Sequence, residues 1–314
     1  MDCPVVVAGL YGMSLLLHVQ RFPAPGETVA GEMLALEGGG KGFNQAISVA
    51  RNGACTIFFS AVGEDEFGRC VEEECRRYGI SYMGITLQGA NTAAAAVLSD
   101  AKGESRVIVA QGACGQADAQ SLDLSRLPNG GILLLQNELP EEVNLLFAKT
   151  MKERGGMVIY NPAPVRELDK KLLRIVDYLV PNWGEALALA GMDQNASPDH
   201  VAKALQKLGV RNILITLGDK GVLVAAQGEE PVRLDALPVQ AVDTTGAGDT
   251  FCGALAAGLA KGKALLEAAV FANGAAALSV TRKGVSVAIP TKSEVEEFLA
   301  RRESKTATWK EREP

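Results

Sequence analysis

Residues 132–160 read ILLLQNELPEEVNLLFAKTMKERGGMVIY. An apolar run at 132–135 is followed by a segment in which Val143, Leu146, Phe147 and Met151 recur at helical spacing. Gly155-Gly156 ends that segment, and a second apolar run, Met157–Tyr160, follows at once. Two short buried strands joined through a helix pair in parallel, with a right-handed crossover. The same alternation continues outward. Val5–Gly9, Thr56–Ala61, Tyr178–Val180 and Asn212–Thr216 read as buried strands; Gly42–Arg51, Glu66–Tyr78, Glu185–Ala190 and Pro198–Leu208 read as helices. The pattern predicts an α/β fold: a mostly parallel central sheet with helices on both faces.

Two regions break this rhythm. From about 12 to 37 the chain reads as extended segments around Phe22-Pro23-Ala24-Pro25-Gly26, and from about 91 to 110 two strand-like runs flank Asp100-Ala101-Lys102-Gly103-Glu104, a good hairpin loop. Strands without intervening helices have no place in the parallel layers, so they are expected to form a small separate β-sheet that projects as a lid. One last amphipathic helix, Ser293–Arg301, is expected before a polar tail, 303–314, that frays. With no internal repeat, residues 1–314 read as a single domain.

The composition narrows the function classes. Of 314 residues, 47% are hydrophobic and 22% charged, the balance of a folded globular protein. The net charge is 31 − 37 = −6, so no basic domain is available for a nucleic-acid backbone, although backbone dipoles can still bind a small anion. No stretch reaches the roughly 18 apolar residues of a membrane span. The start, Met1-Asp2-Cys3-Pro4-Val5, lacks the basic flank of a secretion signal. Six cysteines without a C-x-x-C pair and only two histidines, His18 and His200, make a poor zinc framework and read as reduced thiols of a cytoplasmic protein. A Ser-His-Asp hydrolase is disfavoured on the same count.

The chemistry concentrates in two stretches. In Ala241-Val242-Asp243-Thr244-Thr245-Gly246-Ala247-Gly248-Asp249-Thr250-Phe251, glycines permit a tight turn directly before an alanine- and leucine-rich helix expected over Thr250–Leu259. Free amides and the positive end of that helix converge near Gly246, Ala247 and Gly248, an anion hole suited to a phosphoryl group in transfer. Asp249 at its mouth can take a proton from an attacking hydroxyl, or it can simply cap the helix; taken alone, the tetrad favours the cap. The second stretch, Gly38-Gly39-Gly40-Lys41-Gly42-Phe43-Asn44-Gln45-Ala46, lets backbone approach a ligand closely. It is neither a Walker loop, having no Ser or Thr after the lysine, nor a dinucleotide fingerprint. Asn44 offers a polyol both donor and acceptor, but a structural turn explains the glycines equally well.

Together these stretches resemble the signatures of the ribokinase-like (PfkB) carbohydrate kinases. Phe22–Thr28, Asn161-Pro162-Ala163-Pro164, Pro181-Asn182-Trp183-Gly184-Glu185, Thr216–Gly221 and Thr281–Gly284 also fall in family order. The resemblance implies an ATP-dependent sugar kinase with Asp249 as general base and the Gly246, Ala247 and Gly248 amides around the transferring phosphoryl group. It implies that Asn182 and Glu185 order Mg²⁺ through water, although Glu185 is also an ordinary first-turn carboxylate. Thr216, Gly218 and Gly221 match the nucleotide loop, and Asn273 the position beside adenine. Gly39, Gly40, Asn44 and Glu138 match sugar contacts. A monovalent-cation site, K⁺ in the family, corresponds to the loops of Asp243, Thr245, Ser279, Arg282 and Gly284, mostly through backbone carbonyls, with Ala288 where the ribose kinases have serine. A homodimer through the lid is implied as well.

One departure matters. The ribose kinases carry Asn-x-Asp at the end of the first strand, where this chain has Gly12-Met13-Ser14. Each buried hydroxyl left without its partner costs on the order of 1–3 kcal/mol. Ser14 is therefore a sugar-binding position with altered chemistry, and the acceptor is a small sugar or sugar-like polyol to which ribose is poorly suited. Fructose, a keto-deoxy sugar acid and a nucleoside are the alternative acceptors. Arg21 and Arg106 would suit an acid but read more simply as solvated charges. A catalytically silent sugar sensor is disfavoured by Asp249, and a nucleotide-dependent oxidoreductase by the missing fingerprint.

Overall fold

The computed structural model describes residues 3–102, 104–167 and 170–310. Fifteen strands form among the described residues: β1 (Val5–Ala8), β2 (Gly12–Val19), β3 (Gly31–Gly39), β4 (Thr56–Phe59), β5 (Ala61–Gly63), β6 (Ser81–Tyr82), β7 (Ile85–Leu87), β8 (Ala93–Asp100), β9 (Ser105–Ala110), β10 (Ile132–Leu135), β11 (Met157–Tyr160), β12 (Tyr178–Leu179), β13 (Asn212–Thr216), β14 (Val222–Ala225) and β15 (Val232–Leu234). Nine of them make the main sheet, in the order β15-β14-β13-β12-β11-β10-β1-β4-β6. From β13 to β6 every pairing is parallel; the β13–β14 and β14–β15 pairings are antiparallel, so β14 alone runs against the rest.

Both faces are covered, and the alternation along each strand divides its residues between two cores. Val6, Ala8, Leu133, Leu135, Val158 and Tyr160 pack toward helices Glu141–Glu153 and Pro198–Lys207. Val5, Val7, Ile132, Leu134 and Ile159 pack toward helices Lys41–Arg51, Ala247–Ala260 and Leu265–Ser279. Strands buried on both sides can be uninterruptedly apolar, which is why runs such as Val5-Val6-Val7-Ala8 carry no polar alternation. This is the α/β architecture the alternation of elements predicts.

The small sheet has the order β3-β2-β8-β9, with β2 and β8 parallel and the outer pairs antiparallel. In the turn between β8 and β9 the Asp100 carboxylate accepts the amides of Lys102 and Glu104 at 2.9 and 3.0 Å; Gly103 lies outside the described residues. A shorter parallel pair, β5–β7, lies apart from both sheets.

Several local expectations are corrected. The run Thr56–Ala61 divides at Ser60 into β4 and β5, which belong to different sheets, and Glu66–Tyr78 divides at Cys70 into two helices, Glu66–Arg69 and Val71–Arg77. The helix expected over Thr250–Leu259 begins at Ala247, because Gly246 adopts a left-handed conformation (φ +77°) and caps it. Helix Lys292–Lys310 extends past the expected Arg301 end through 303–310 of the polar tail, a stretch without glycine or proline. Residues 311–314 lie outside the described residues. Among the described residues no helix is long and apolar enough to cross a membrane.

Candidate active site

The carboxyl ends of the parallel strands open onto the N-terminus of helix Ala247–Ala260. Thr250 N–H donates to Gly246 O at 2.8 Å and starts the helical ladder. Ala247 N–H turns back to Thr244 O at 3.3 Å, which removes it from the expected cradle. Among the described residues the amides of Gly246, Gly248 and Asp249 carry no acceptor, and nothing lies within 4 Å of where a Cβ on Gly248 would stand. Three amide donors without an acceptor and the positive helix end therefore border the cleft, an arrangement suited to a phosphoryl oxygen.

Asp249 is buried in the first turn of this helix. Its Oδ1 accepts from Gln45 Nε2 at 3.0 Å and its Oδ2 from Asn44 Nδ2 at 3.3 Å, so both partners come from the glycine-rich segment and its helix Lys41–Arg51. A helix cap would spend the carboxylate on its own backbone amides; this one is held from across the molecule. Lys41 is the functional side chain that sequence reasoning missed. Its ammonium is held above the usual lysine range, chiefly by the Asp249 charge and secondarily by Glu138 and Glu185, while burial opposes this. The signal was there in Gly40-Lys41-Gly42, but with no Ser or Thr following, nothing local says what the cation faces. Glu138 is buried against the same cluster and accepts Gly42 N–H at 3.3 Å. Burial pushes its carboxyl up to about 7, and Lys41 works against that rise.

Across the opening, Asn182 and Glu185 form a capping box on helix Trp183–Ala190. Glu185 Oε2 accepts Asn182 N–H and Oε1 accepts Asn182 Nδ2, both at 2.8 Å, and Glu185 N–H returns to Asn182 Oδ1 at 2.8 Å. Each carboxylate oxygen keeps a lone pair, and burial holds the carboxyl above its ordinary range. Thr216 ends β13 and bridges in parallel to Asn182. Gly218 (φ +63°) and Gly221 (φ +87°) turn the chain into β14; a side chain at 221 would run into the Leu234 carbonyl. Asn273, on helix Leu265–Ser279, donates to Asp235 O at 2.9 Å. Lys41, Asn182, Glu185, Thr216, Gly218, Gly221, Gly246, Gly248, Asp249 and Asn273 all line one cleft of about 840 Å³, whose remaining wall includes the apolar Val222, Leu237, Ala276 and Val280. The sequence-distant members of the expected nucleotide and catalytic sets thus share a single cavity.

Ser14, Gly39, Gly40, Asn44 and Glu138 lie beyond that wall, where the small sheet meets helix Lys41–Arg51. A Cβ at Gly39 would stand 2.5 Å from Ser14 Oγ, and one at Gly40 (φ +103°) would meet the Leu10 carbonyl. At Gly12 a Cβ would stand 2.5 Å from Ala93 O on the paired strand β8, so this backbone has no room for an amide-bearing side chain there. Asn44 Oδ1 is buried without a partner, an acceptor free for a ligand hydroxyl.

The expected cation loops lie side by side: Val242 N–H and Asp243 N–H donate to Val280 O at 2.7 and 3.2 Å. The Asp243 carboxylate takes Thr245 N–H at 3.0 Å and Gly284 N–H at 3.2 Å, which joins two of the loops. Ser279 Oγ donates to Ala276 O at 2.8 Å, and the Arg282 guanidinium donates to Glu294 at 2.6 Å, a side-chain bond that does not involve its backbone carbonyl. Ala288 is buried.

Residues 4–292 match the family described as pfkB family carbohydrate kinase. The ribokinase of Haemophilus influenzae is 35% identical over 300 residues, which cover 94% of this chain and 98% of that protein. The crystal structure of Thermotoga maritima ribokinase superposes with a TM-score of 0.87 at 36% identity, covering 96% of this chain and 100% of that one. Arabidopsis thaliana ribokinase complexed with ribose and ATP superposes with a TM-score of 0.84 at 31% identity, covering 95% and 99%.

Proposed function

The chain belongs to the pfkB family of carbohydrate kinases and is a sugar kinase, and from that premise we propose that it transfers the γ-phosphoryl group of ATP to a hydroxyl of a small sugar or sugar-like polyol other than ribose. The observation that carries this reading is the Asp249 carboxylate, buried at the mouth of a helix N-terminus whose neighbouring amides are free. Asp249 takes the proton of the acceptor hydroxyl as its oxygen bonds to the γ-phosphorus. The bond from that phosphorus to the β–γ bridging oxygen breaks, and ADP leaves with the bridging electron pair. The amides of Gly246, Gly248 and Asp249, together with the Lys41 ammonium, oppose the negative charge spread over the transferring group.

In this reading the 840 Å³ cleft takes the nucleotide, with Thr216, Gly218, Gly221, Asn182 and Asn273 along it; the Arabidopsis thaliana relative is a complex with ribose and ATP. The free lone pairs of Glu185, beside Asn182, suit the water shell of a Mg²⁺ ion, which supplies charge neutralisation on the phosphates when bound. The joined Asp243 and Gly284 loops, with Thr245 and Ser279, form the monovalent-cation region; the Arg282 guanidinium is committed to Glu294.

The small sheet acts as the lid that closes over the acceptor and excludes water, which otherwise competes for the phosphoryl group. It exposes Met33, Leu34, Leu36 and Ile108 at 52–70% of their surface. An apolar patch of that kind on a soluble chain marks a contact surface, and a second copy of this sheet covers it in a homodimer. In this reading the kinase works in the cytoplasm, where ATP is supplied and thiols stay reduced.

A screen of D-ribose, 2-deoxy-D-ribose, D-fructose, keto-deoxy sugar acids and nucleosides, read as Mg-ATP-dependent ADP release and as thermal shift, tests the reading. ADP release with one of these acceptors, at a kcat/KM well above that for ribose, is the expected result. Binding of sugars without ADP release would make the protein a sensor. A ribose kcat/KM as high as any other would show that Ser14 is compensated.

A further inference from the structure

We propose that Gln45 is a positioning residue for Asp249, and that its amide is locked in one orientation by a buried chain of donors that begins at Gln136. The proposal rests on Asp249 being the proton acceptor and adds the device that holds it. Gln45 and Gln136 are both fully buried. Gln136 Nε2 donates to Gln45 Oε1 at 2.6 Å, and Gln45 Nε2 stands 3.0 Å from Asp249 Oδ1 and 3.2 Å from Asn161 Oδ1.

The direction of the chain follows from the chemistry of its ends. An amide has one accepting and one donating end. Asn161 spends its NH₂ group on Val180 O at 2.8 Å, so it turns its oxygen to Gln45. Gln136 turns its NH₂ group to Gln45 from the other side, and does so although its own Oε1 is left buried without a partner. Rotating Gln45 by half a turn would set oxygen against oxygen at Asn161 and nitrogen against nitrogen at Gln136, and would present an acceptor to a carboxylate. The NH₂ of Gln45 is therefore fixed on Asp249.

A donor fixed on Oδ1 stops the carboxylate from rotating. Oδ2 receives only the longer bond from Asn44, at 3.3 Å, and is the oxygen that meets the acceptor hydroxyl.

The alternative is that Gln45 merely ties helix Lys41–Arg51 to helix Ala247–Ala260. A double-mutant cycle separates the two. Gln45→Met and Gln136→Met, each alone and each combined with Asp249→Asn, are assayed for ADP release from Mg-ATP with the screened acceptor of highest kcat/KM, held at saturation, and with water alone as acceptor. Gln45→Met is expected to lower kcat about 10-fold, the worth of one lost charge-assisted hydrogen bond, with KM for Mg-ATP unchanged within about twofold. Gln136→Met, which leaves both Asp249 contacts in place, is expected to lower kcat about threefold in the same manner. In the Asp249→Asn background neither costs anything further. Equal losses in both backgrounds, or a raised KM at unchanged kcat, would overturn the proposal. Undiminished turnover by Asp249→Asn alone would overturn the base assignment, and the proposal with it. Should Gln45→Met not fold, Gln136→Met carries the same cycle.

Discussion

Replacing Asp249 by asparagine and by alanine separates its chemical role from its structural one, and the surrounding hydrogen bonds set the expected sizes. In the native site Gln45 Nε2 and Asn44 Nδ2 both donate to the carboxylate, while Asn44 Oδ1 is buried without a partner. In Asp249→Asn the new side-chain oxygen keeps the Gln45 bond. Its NH₂ group then faces Asn44, whose amide turns over and presents the idle Oδ1. Asn44 Nδ2 then takes the buried place where Oδ1 had no partner, so one unpartnered polar atom replaces another and stability should stay within about 1 kcal/mol of wild type, the worth of a single net hydrogen bond. Turnover, without a proton acceptor, should fall by roughly 10²- to 10⁴-fold. Asp249→Ala has no such rearrangement. Two buried amide donors lose their acceptor at about 1–3 kcal/mol each, so unfolding should cost about 2–6 kcal/mol less. Urea denaturation and a coupled ADP-release assay measure the two quantities. An Asp249→Ala protein as stable as Asp249→Asn would refute the hydrogen-bond argument. Wild-type turnover by Asp249→Asn would remove the carboxylate from the reaction.

Glu138 sets a pH dependence of stability. Burial lifts its carboxyl from 4.5 to about 7, so the folded chain holds this proton more tightly than the unfolded chain does. Its contribution is complete below about 4.5 and is lost as pH rises to about 7; Glu138→Gln should flatten that stretch of the stability curve, and an unchanged slope by urea midpoint would count against the assignment. Ser14→Asp should lower the KM for D-ribose by roughly 5- to 150-fold, as expected of about 1–3 kcal/mol from a restored hydrogen bond. Gly12→Asn should not help: its Cβ meets Ala93 O, and the forced separation of β2 from β8 should destabilise by about 1–3 kcal/mol, visible as a lowered Tm. Ile108→Glu should shift the protein from dimer to monomer in sedimentation velocity, and a wild-type monomer at micromolar concentration would remove the lid-to-lid pairing.

The motif around Gly246 was readable because its chemistry is contiguous. A residue able to take a left-handed turn, a helix directly behind it and a carboxylate in the first turn occupy positions 246–250, and backbone geometry alone brings their amides together. The capping box of Asn182 and Glu185 was equally local, three residues apart on one helix. Apolar runs alternating with helical spacing were enough to predict a parallel sheet covered on both faces. They were not enough for β14 and β15, because a short apolar run looks the same whether it extends a sheet in parallel or antiparallel. Helix Leu265–Ser279 escaped notice for a related reason. It is alanine-rich on several sides and packs so closely on helix Ala247–Ala260 that a Cβ at Gly258 would stand 3.1 Å from Ala268, which leaves no polar face to mark its period.

From the amino-acid order alone came the layer architecture, the helix end at Gly246 and the carboxylate beside it, since each depends on neighbours a few bonds or one helical turn away. The folded structure decided what that carboxylate faces: Gln45 and Asn44 from some 204 and 205 positions earlier, and the Lys41 cation set between three acids. It also decided that Gly12 has no space for a side chain and that Ala247 keeps its amide to itself. Partner choice and burial are properties of distance through space, and no local pattern in a chain encodes which remote donor will arrive at an oxygen.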